Sequence, residues 1–281
     1  VTLAFYLTTF VAGLFGNGLV LYVITRFPQV RVRSVANYYI WNLAFADLLY
    51  ILMLPFFCFA TFSSQWIFGE IVCKVAFVLR ECNKFASVFT LMALSVDRYL
   101  ATHHNLSAMR TIRVGKLVCV CIWLAGLGVC FPFARYSAMT GSHTHLSCQV
   151  TWPSLHSRVI WTYLHTALGL VIPLLIIISF NVLLLRRLRS LGPAVSRAGR
   201  ASTMTKTVLV VVALFVVCQI PSYVSTAVGL RVIQKVASNE PPSKGQLLGM
   251  VYFYMISTVL VFISSCSNPV VYGLCNKNYR E

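Results

Sequence analysis

An all-α membrane protein, one seven-helix bundle with its N-terminus outside and its C-terminus in the cytosol, is the fold class this sequence predicts. Three observations predict it. The 281 residues are 58% hydrophobic and only 10% charged, whereas a soluble chain is about a quarter charged and could not hide so much apolar surface. Seven stretches are apolar over the ~20 residues a helix needs to cross a bilayer; they lie at roughly 1–25, 35–62, 70–102, 114–134, 159–185, 205–230 and 247–273. The basic residues between them are unequal on the two sides. Helices are preferred to a barrel because the short alternating segments of membrane strands are missing.

Fourteen Lys/Arg fall on one side: Arg26, Arg31 and Arg33 after span 1, Arg110, Arg113 and Lys116 after span 3, Arg186, Arg187, Arg189, Arg197, Arg200 and Lys206 between spans 5 and 6, and Lys277 and Arg280 after span 7. The other side has six: Lys74, Arg135, Arg158, Arg231, Lys235 and Lys244. Basic loops stay in the cytosol, which sets the orientation. The net charge of +17 is then partly a signal of topology toward a lipid bilayer. It does not point to nucleic acid, which would need a basic soluble face. Residues 1–281 read as a single domain. Span 1 begins at the first residue and the chain stops abruptly at Glu281, so tails outside this range are expected.

Taken in order, the spans carry isolated polar or helix-breaking residues: Asn17 in span 1, Asp47 in span 2, Asn83 and Ser87 in span 3, Trp123 in span 4, Pro173 in span 5, Pro221 in span 6, and Asn268-Pro269-Val270-Val271-Tyr272 in span 7. Prolines within a span open the hydrogen-bond ladder and make hinges. An ionised Asp47 in a bilayer needs partners or a cation. Asn83 and Ser87, one turn apart on a single face, could both point at it. With Asn268 they make a polar pocket sized for a sodium ion; the alternative is a packing network with no ion. Span 3 ends in Asp97-Arg98-Tyr99, charges at a membrane boundary that are either anchors or functional.

Eight of the ten cysteines fall within or at the ends of spans, where thiols pack as small apolar groups. The other two, Cys73 and Cys148, both face the oxidising side, so a disulfide between them is the economical pairing. It would tie the loop between spans 4 and 5 across the mouth of the bundle. Residues 144–150 of that loop alternate weakly, as a short hairpin does. Asn105-Leu106-Ser107 has the glycosylation pattern but lies on the cytosolic side. The stretch from Ser190 to Ala201 reads as a mobile linker. No His/Cys spacing suggests zinc, no nucleophile–base pair suggests an enzyme, and no internal repeat supports a transporter.

These residues together resemble the rhodopsin-like G-protein-coupled receptors. The resemblance covers the whole chain and is carried by Gly16-Asn17, Asn42-Leu43-Ala44-Phe45-Ala46-Asp47, Trp66-Ile67-Phe68-Gly69, Cys73, Asp97-Arg98-Tyr99, Trp123, Cys148, Pro173, Cys218-Gln219-Ile220-Pro221 and Asn268-Pro269-Val270-Val271-Tyr272. Phe85-Ala86-Ser87-Val88-Phe89-Thr90-Leu91 and Ser264-Ser265-Cys266-Ser267-Asn268-Pro269 are similar to the peptide branch, nearest the somatostatin, galanin, urotensin and melanin-concentrating-hormone receptors. The resemblance implies a plasma-membrane receptor for a peptide, including a neuropeptide or hormone. Its partners would be heterotrimeric G proteins and arrestin, with no cofactor beyond an allosteric sodium ion. By the same resemblance Asp97 holds Arg98 at rest, span 6 swings about Pro221 on activation, Leu106 meets the G protein and Tyr272 rearranges inward.

The chain departs from that pattern at four places. Arg80, followed by Glu81, stands where many peptide and all amine receptors have an aspartate, and Lys84 lies one turn on. A cationic ligand is therefore disfavoured, and the pocket residues Arg80, Glu81, Lys84 and Gln219 suggest a ligand with an acidic group or free carboxylate. The alternative is that Arg80 and Lys84 pair internally with Glu81. Gln219 replaces the usual tryptophan above Pro221, Asn181 a tyrosine that supports the freed arginine, and Asn105 a proline before Leu106. No acid opens span 6 as a lock on Arg98, leaving Thr205 as a weaker partner. These losses fit raised basal activity, or a decoy that binds without signalling. A small acidic or lipid ligand competes with the peptide reading. A transporter is the rival from another class, motivated by the charges within the bundle. The absence of a lysine in 247–273 excludes a retinal receptor.

Overall fold

The computed structural model describes residues 2–27, 35–103, 110–142, 145–190 and 200–275. Seven membrane-length helical segments, some broken, pack side by side with one short hairpin at one end. Span 1 is α1 (Thr2–Arg26). Span 2, expected as one helix, is two: α2 (Val35–Ile51) and α3 (Leu54–Ser63). Pro55 explains the break. It brings no N–H to the ladder and its ring crowds the carbonyl four residues back, so Leu52 and Met53 turn tightly and the Met53 N–H bonds the Tyr50 carbonyl at 3.0 Å. Beyond the prolines expected as hinges in spans 5–7, Pro55 is thus a further break.

Span 3 is the unbroken α4 (Gly69–Leu100). Span 4 is α5 (Ile112–Tyr136), opened by Thr111, whose side chain accepts from the Val114 N–H at 3.2 Å. Span 5 is α6 (Leu155–Thr166), a π-helical turn at Ala167–Val171, and α7 (Ile172–Ser190). The wide turn immediately precedes Pro173, where an extra residue relieves the same proline clash. Spans 6 and 7 are α8 (Arg200–Ala237) and α9 (Lys244–Cys275), with Pro221 and Pro269 inside them.

Six of the seven spans are long and apolar enough to cross a membrane. Span 3 is the exception, because it carries Glu70, Lys74, Arg80, Glu81, Lys84, Asp97 and Arg98. It is tolerated by position: Glu81, Asn83, Lys84, Ser87 and Asp97 are all buried against other helices, away from lipid. The outward faces are the reverse, with Phe15, Leu19, Leu117, Leu124, Phe131, Leu175 and Val217 more than half exposed. An apolar exterior around a polar interior is what hydrocarbon selects.

Buried amides stitch the helices where apolar packing alone would leave their register loose. The Asn17 amide nitrogen donates to the Gly13 carbonyl at 3.1 Å and across to the Ser265 carbonyl of span 7 at 3.0 Å. Asn42 of span 2 donates to the Thr90 hydroxyl at 2.7 Å and accepts from the Trp123 indole at 2.8 Å, so spans 2, 3 and 4 meet at one residue.

The loop after span 4 forms the expected hairpin, longer than its weak alternation suggested. Strands β1 (Ser137–Ser142) and β2 (His145–Val150) pair antiparallel with Ser137 opposite Val150 and Met139 opposite Cys148. Gly141 sits at φ +126°, and a side chain there would meet the His145 carbonyl oxygen, so the turn requires glycine. The linker expected from Ser190 to Ala201 lies almost entirely outside the described residues, as do Asn105, Leu106 and the side chains of Thr205 and Tyr272.

Candidate functional site

At the hairpin end the helices splay around a cavity of about 540 Å³. Its roof is the second strand, through Leu146, Ser147 and Cys148, and its walls include Tyr6, Tyr50, Phe57, Phe77, Tyr254 and Phe262. The roof is fastened twice. Cys148 is disulfide-bonded to Cys73 at the start of span 3, as the sequence predicted, with the Cα atoms 5.7 Å apart, and the Trp66 N–H donates to the Leu146 carbonyl at 2.8 Å. Removing a disulfide typically costs about 2–4 kcal/mol. Cys73→Ser is expected to lower thermal stability by that amount and to let the hairpin lift from the cavity, read as faster hydrogen exchange over 145–150. Unchanged exchange there would mean that the Trp66 bond alone holds the roof.

Of the four residues expected in the pocket, only Arg80 lines it. Glu81, Lys84 and Gln219 are buried away from the lining, at 1%, 8% and 2% exposure. For Glu81 the reason is helical phase. One residue beyond Arg80 the helix has turned by about 100°, which aims Glu81 at span 5. There its carboxylate meets the His165 ring nitrogen at 2.9 Å. The Arg80 Nε donates to the same carboxylate at 2.9 Å, and the Lys84 Nζ lies 3.3 and 3.1 Å from its two oxygens. Internal pairing is therefore real, and it uses Lys84 fully and Arg80 at one nitrogen. His165 was missed in the sequence; a lone imidazole eight residues before Pro173 in an apolar span was the available signal.

His165 also reaches span 6. Its ring lies 5.5 Å from that of Tyr223, centroid to centroid, and 5.1 Å from Phe85. Gly169 in the π turn leaves the room Tyr223 occupies, since a Cβ there would fall 2.2 Å from the tyrosine oxygen. Gln219, one turn before Tyr223, is buried with its carbonyl oxygen unpartnered among the described residues. Trp66 lines the cavity, while Trp152 and Trp161 pack on Phe133 at 6.1 Å each.

Midway down, Asp47 accepts from Asn83 at 3.0 Å and from Asn268 at 2.7 Å, joining spans 2, 3 and 7. Ser87, expected to point at the same carboxylate, makes no such bond; its buried hydroxyl has no partner among the described residues. At the far end, Asp97 is 5% exposed and lies 3.2 Å from Arg98, as expected. Its main partner is another residue. Arg110 grips it with one edge of its guanidinium, Nε to Oδ1 at 2.8 Å and Nη2 to Oδ2 at 3.0 Å. Tyr99 instead packs its ring on His103 and Phe180. Asn181 donates to the Ser95 hydroxyl at 3.2 Å and to the Ile177 carbonyl at 2.8 Å.

A helical membrane bundle with a roofed cavity at one end and a paired acid–arginine motif at the other has the form of a multi-pass receptor. The chain belongs to the rhodopsin family of 7 transmembrane receptors, whose profile matches residues 16–272. It is similar to somatostatin receptor type 5 of Bos taurus, 34% identical over 98% of this chain and 73% of the relative. Somatostatin receptor type 2 of Mus musculus is 31% identical over 98% and 74%, and type 3 of Homo sapiens 34% over 98% and 65%. It is a class A G-protein-coupled receptor of the plasma membrane.

Proposed function

We propose that this chain is a receptor for an extracellular peptide, a neuropeptide or peptide hormone, and that it activates heterotrimeric G proteins. The observation that carries this is likeness to somatostatin receptors across 98% of the chain, supported by a cavity at the end opposite Asp97 and Arg98. In this reading the N-terminus and hairpin are extracellular, in line with the basic loops at the other face. A peptide end enters between the aromatic walls and biases a two-state bundle. Span 6 moves outward about Pro221, Arg98 leaves Asp97 for the G protein, and Leu106 and Tyr272 complete the coupling face, to which arrestin also binds. Family membership leaves the transporter and enzyme alternatives without support. The test is a peptide library applied to cells expressing the full-length receptor, read by a panel of G-protein sensors; agonist-dependent exchange on any G protein supports it, and silence across the library and the panel overturns it.

A decoy that binds without signalling is the second reading. It is favoured by Gln219 and Asn181, which lack the tryptophan and tyrosine expected there, and the same panel separates the two: binding with no exchange is the decoy's signature. We also infer an allosteric sodium ion beside Asp47. The Asp47 carboxylate and the Ser87 hydroxyl, buried without a partner among the described residues, are hard oxygen ligands that suit such a cation, while Asn83 and Asn268, which donate their NH2 groups to the carboxylate, would have to turn their amide oxygens to join them. Asp47→Asn is expected to remove any sodium dependence of agonist affinity. Equal sodium sensitivity in both proteins would leave the packing network as the role of these residues.

A further inference from the structure

We propose that the cavity takes a ligand end carrying one negative charge, a carboxylate beside an apolar group, with the terminal amino groups of Arg80 as its anchor. This rests on the receptor reading above and goes further by stating the ligand's charge and the atoms that hold it.

The whole chain has six acidic residues, and the described ones have distinct places. Glu70 pairs with Lys74 at 2.7 Å on the exposed start of span 3, Asp47 is held by two amides, Asp97 is at the far end, and Glu240 is exposed between spans 6 and 7. Only Glu81 serves the buried cluster, and it faces Arg80, Lys84 and His165. Arg80 and Lys84 are two cations on that one anion. A buried charge without its counterion is unfavourable in a membrane bundle, so the cluster is one negative charge short.

The geometry says where that charge goes. Lys84 is 8% exposed and spends its ammonium on both oxygens of Glu81. Arg80 gives Glu81 only its Nε, and its guanidinium carbon sits 4.6 Å over the Phe77 ring. Its two terminal amino groups have no bonding partner among the described residues, and the side chain lines the cavity at 23% exposure. Among the described residues it is the single charged group in that lining. The free edge of a guanidinium is a planar fork matched to a carboxylate. Around it Tyr50, Phe57, Tyr254 and Phe262 offer apolar area for the adjoining group. A monoanion neutralises the cluster; a phosphate dianion would overshoot it, and a cation would add a third positive charge.

Two fluorescent pools of tetrapeptides, identical in sequence with apolar C-terminal residues, one with free carboxylates and one amidated, test this on full-length receptor in nanodiscs. Binding and G-protein exchange are both read. The acid pool is expected to bind about ten- to a hundredfold better than the amide pool, the usual worth of hydrogen bonds to a charged group. Arg80→Gln should abolish the difference, Arg80→Lys should keep part of it, and Lys84→Met, which removes the surplus charge but leaves the Arg80 fork in place, should reduce it without abolishing it. An amide pool that binds and activates as well as the acid pool overturns the carboxylate while the peptide receptor stands. Failure of both pools to bind overturns the proposal, and the separate library screen then decides the wider reading. Loss of the preference in Lys84→Met, with Arg80→Gln unaffected, would make Lys84 the anchor and also sink the assignment.

Discussion

Replacing Glu81 with alanine is expected to destabilise the receptor by about 3–5 kcal/mol, the cost of breaking a buried ionic group by removing one partner. The carboxylate is 1% exposed and accepts from Arg80, Lys84 and His165 at once. Without it two cations face each other in an interior with no other described acid at hand. Arg80 has an exit, because it borders the cavity and can turn toward water; Lys84 has none. The same accounting gives a second variant the opposite sign. Lys84→Met removes the surplus charge and keeps an apolar stem of similar volume, so it should leave stability unchanged or raise it. Thermal unfolding of the purified receptor, followed by tryptophan fluorescence, measures both. A Lys84→Met protein that melts as early as Glu81→Ala would show that the lysine is needed for the cluster, and would refute the charge count. The side-chain geometry also links the cluster to span 6 through the His165–Tyr223 contact, so Glu81→Ala should shift ligand response as well as stability.

Much of this was legible because polar residues are conspicuous in an apolar chain. Asp47 stands alone in a run of Ala, Phe and Leu, and a carboxylate in hydrocarbon has few possible companions. Cys73 and Cys148 were the two thiols on the oxidising side, which left one pairing. What could not be read was direction. Span 3 has the most one-sided hydrophobic pattern of the described helices, yet such a pattern shows only that Glu81 turns inward and not which neighbouring helix it meets. The result was a pocket set of which only Arg80 reaches the cavity. His165 met the same difficulty from the other side: its partner is 84 residues away. Pro55 failed for a different reason. Hydropathy runs smoothly through 52–55, and only the missing N–H and the ring's bulk break the helix there.

The far end of span 3 yields the second large effect, and there the carboxylate is contested. Arg110 bonds Asp97 through two nitrogens at 2.8 and 3.0 Å, while Arg98 stands at 3.2 Å from one oxygen. Bidentate contact is the stronger arrangement, so most of the anion is committed to Arg110, at the start of span 4. Asp97→Asn should cost about 3–5 kcal/mol, because both arginines lose their counterion in a site where Asp97 is 5% exposed. A double variant, Asp97→Asn with Arg110→Gln, should lose less than the sum of the single losses, since the two residues form one interaction. The signalling consequence separates the two arginines. If Asp97 restrains Arg98, Asp97→Asn raises agonist-free nucleotide exchange, whereas Arg110→Gln gives Arg98 the whole carboxylate and lowers it. Competition for one anion demands opposite signs. Exchange that rises in both variants would mean that Arg110 restrains the end of span 3 by tying it to span 4, and that the hold on Arg98 contributes little.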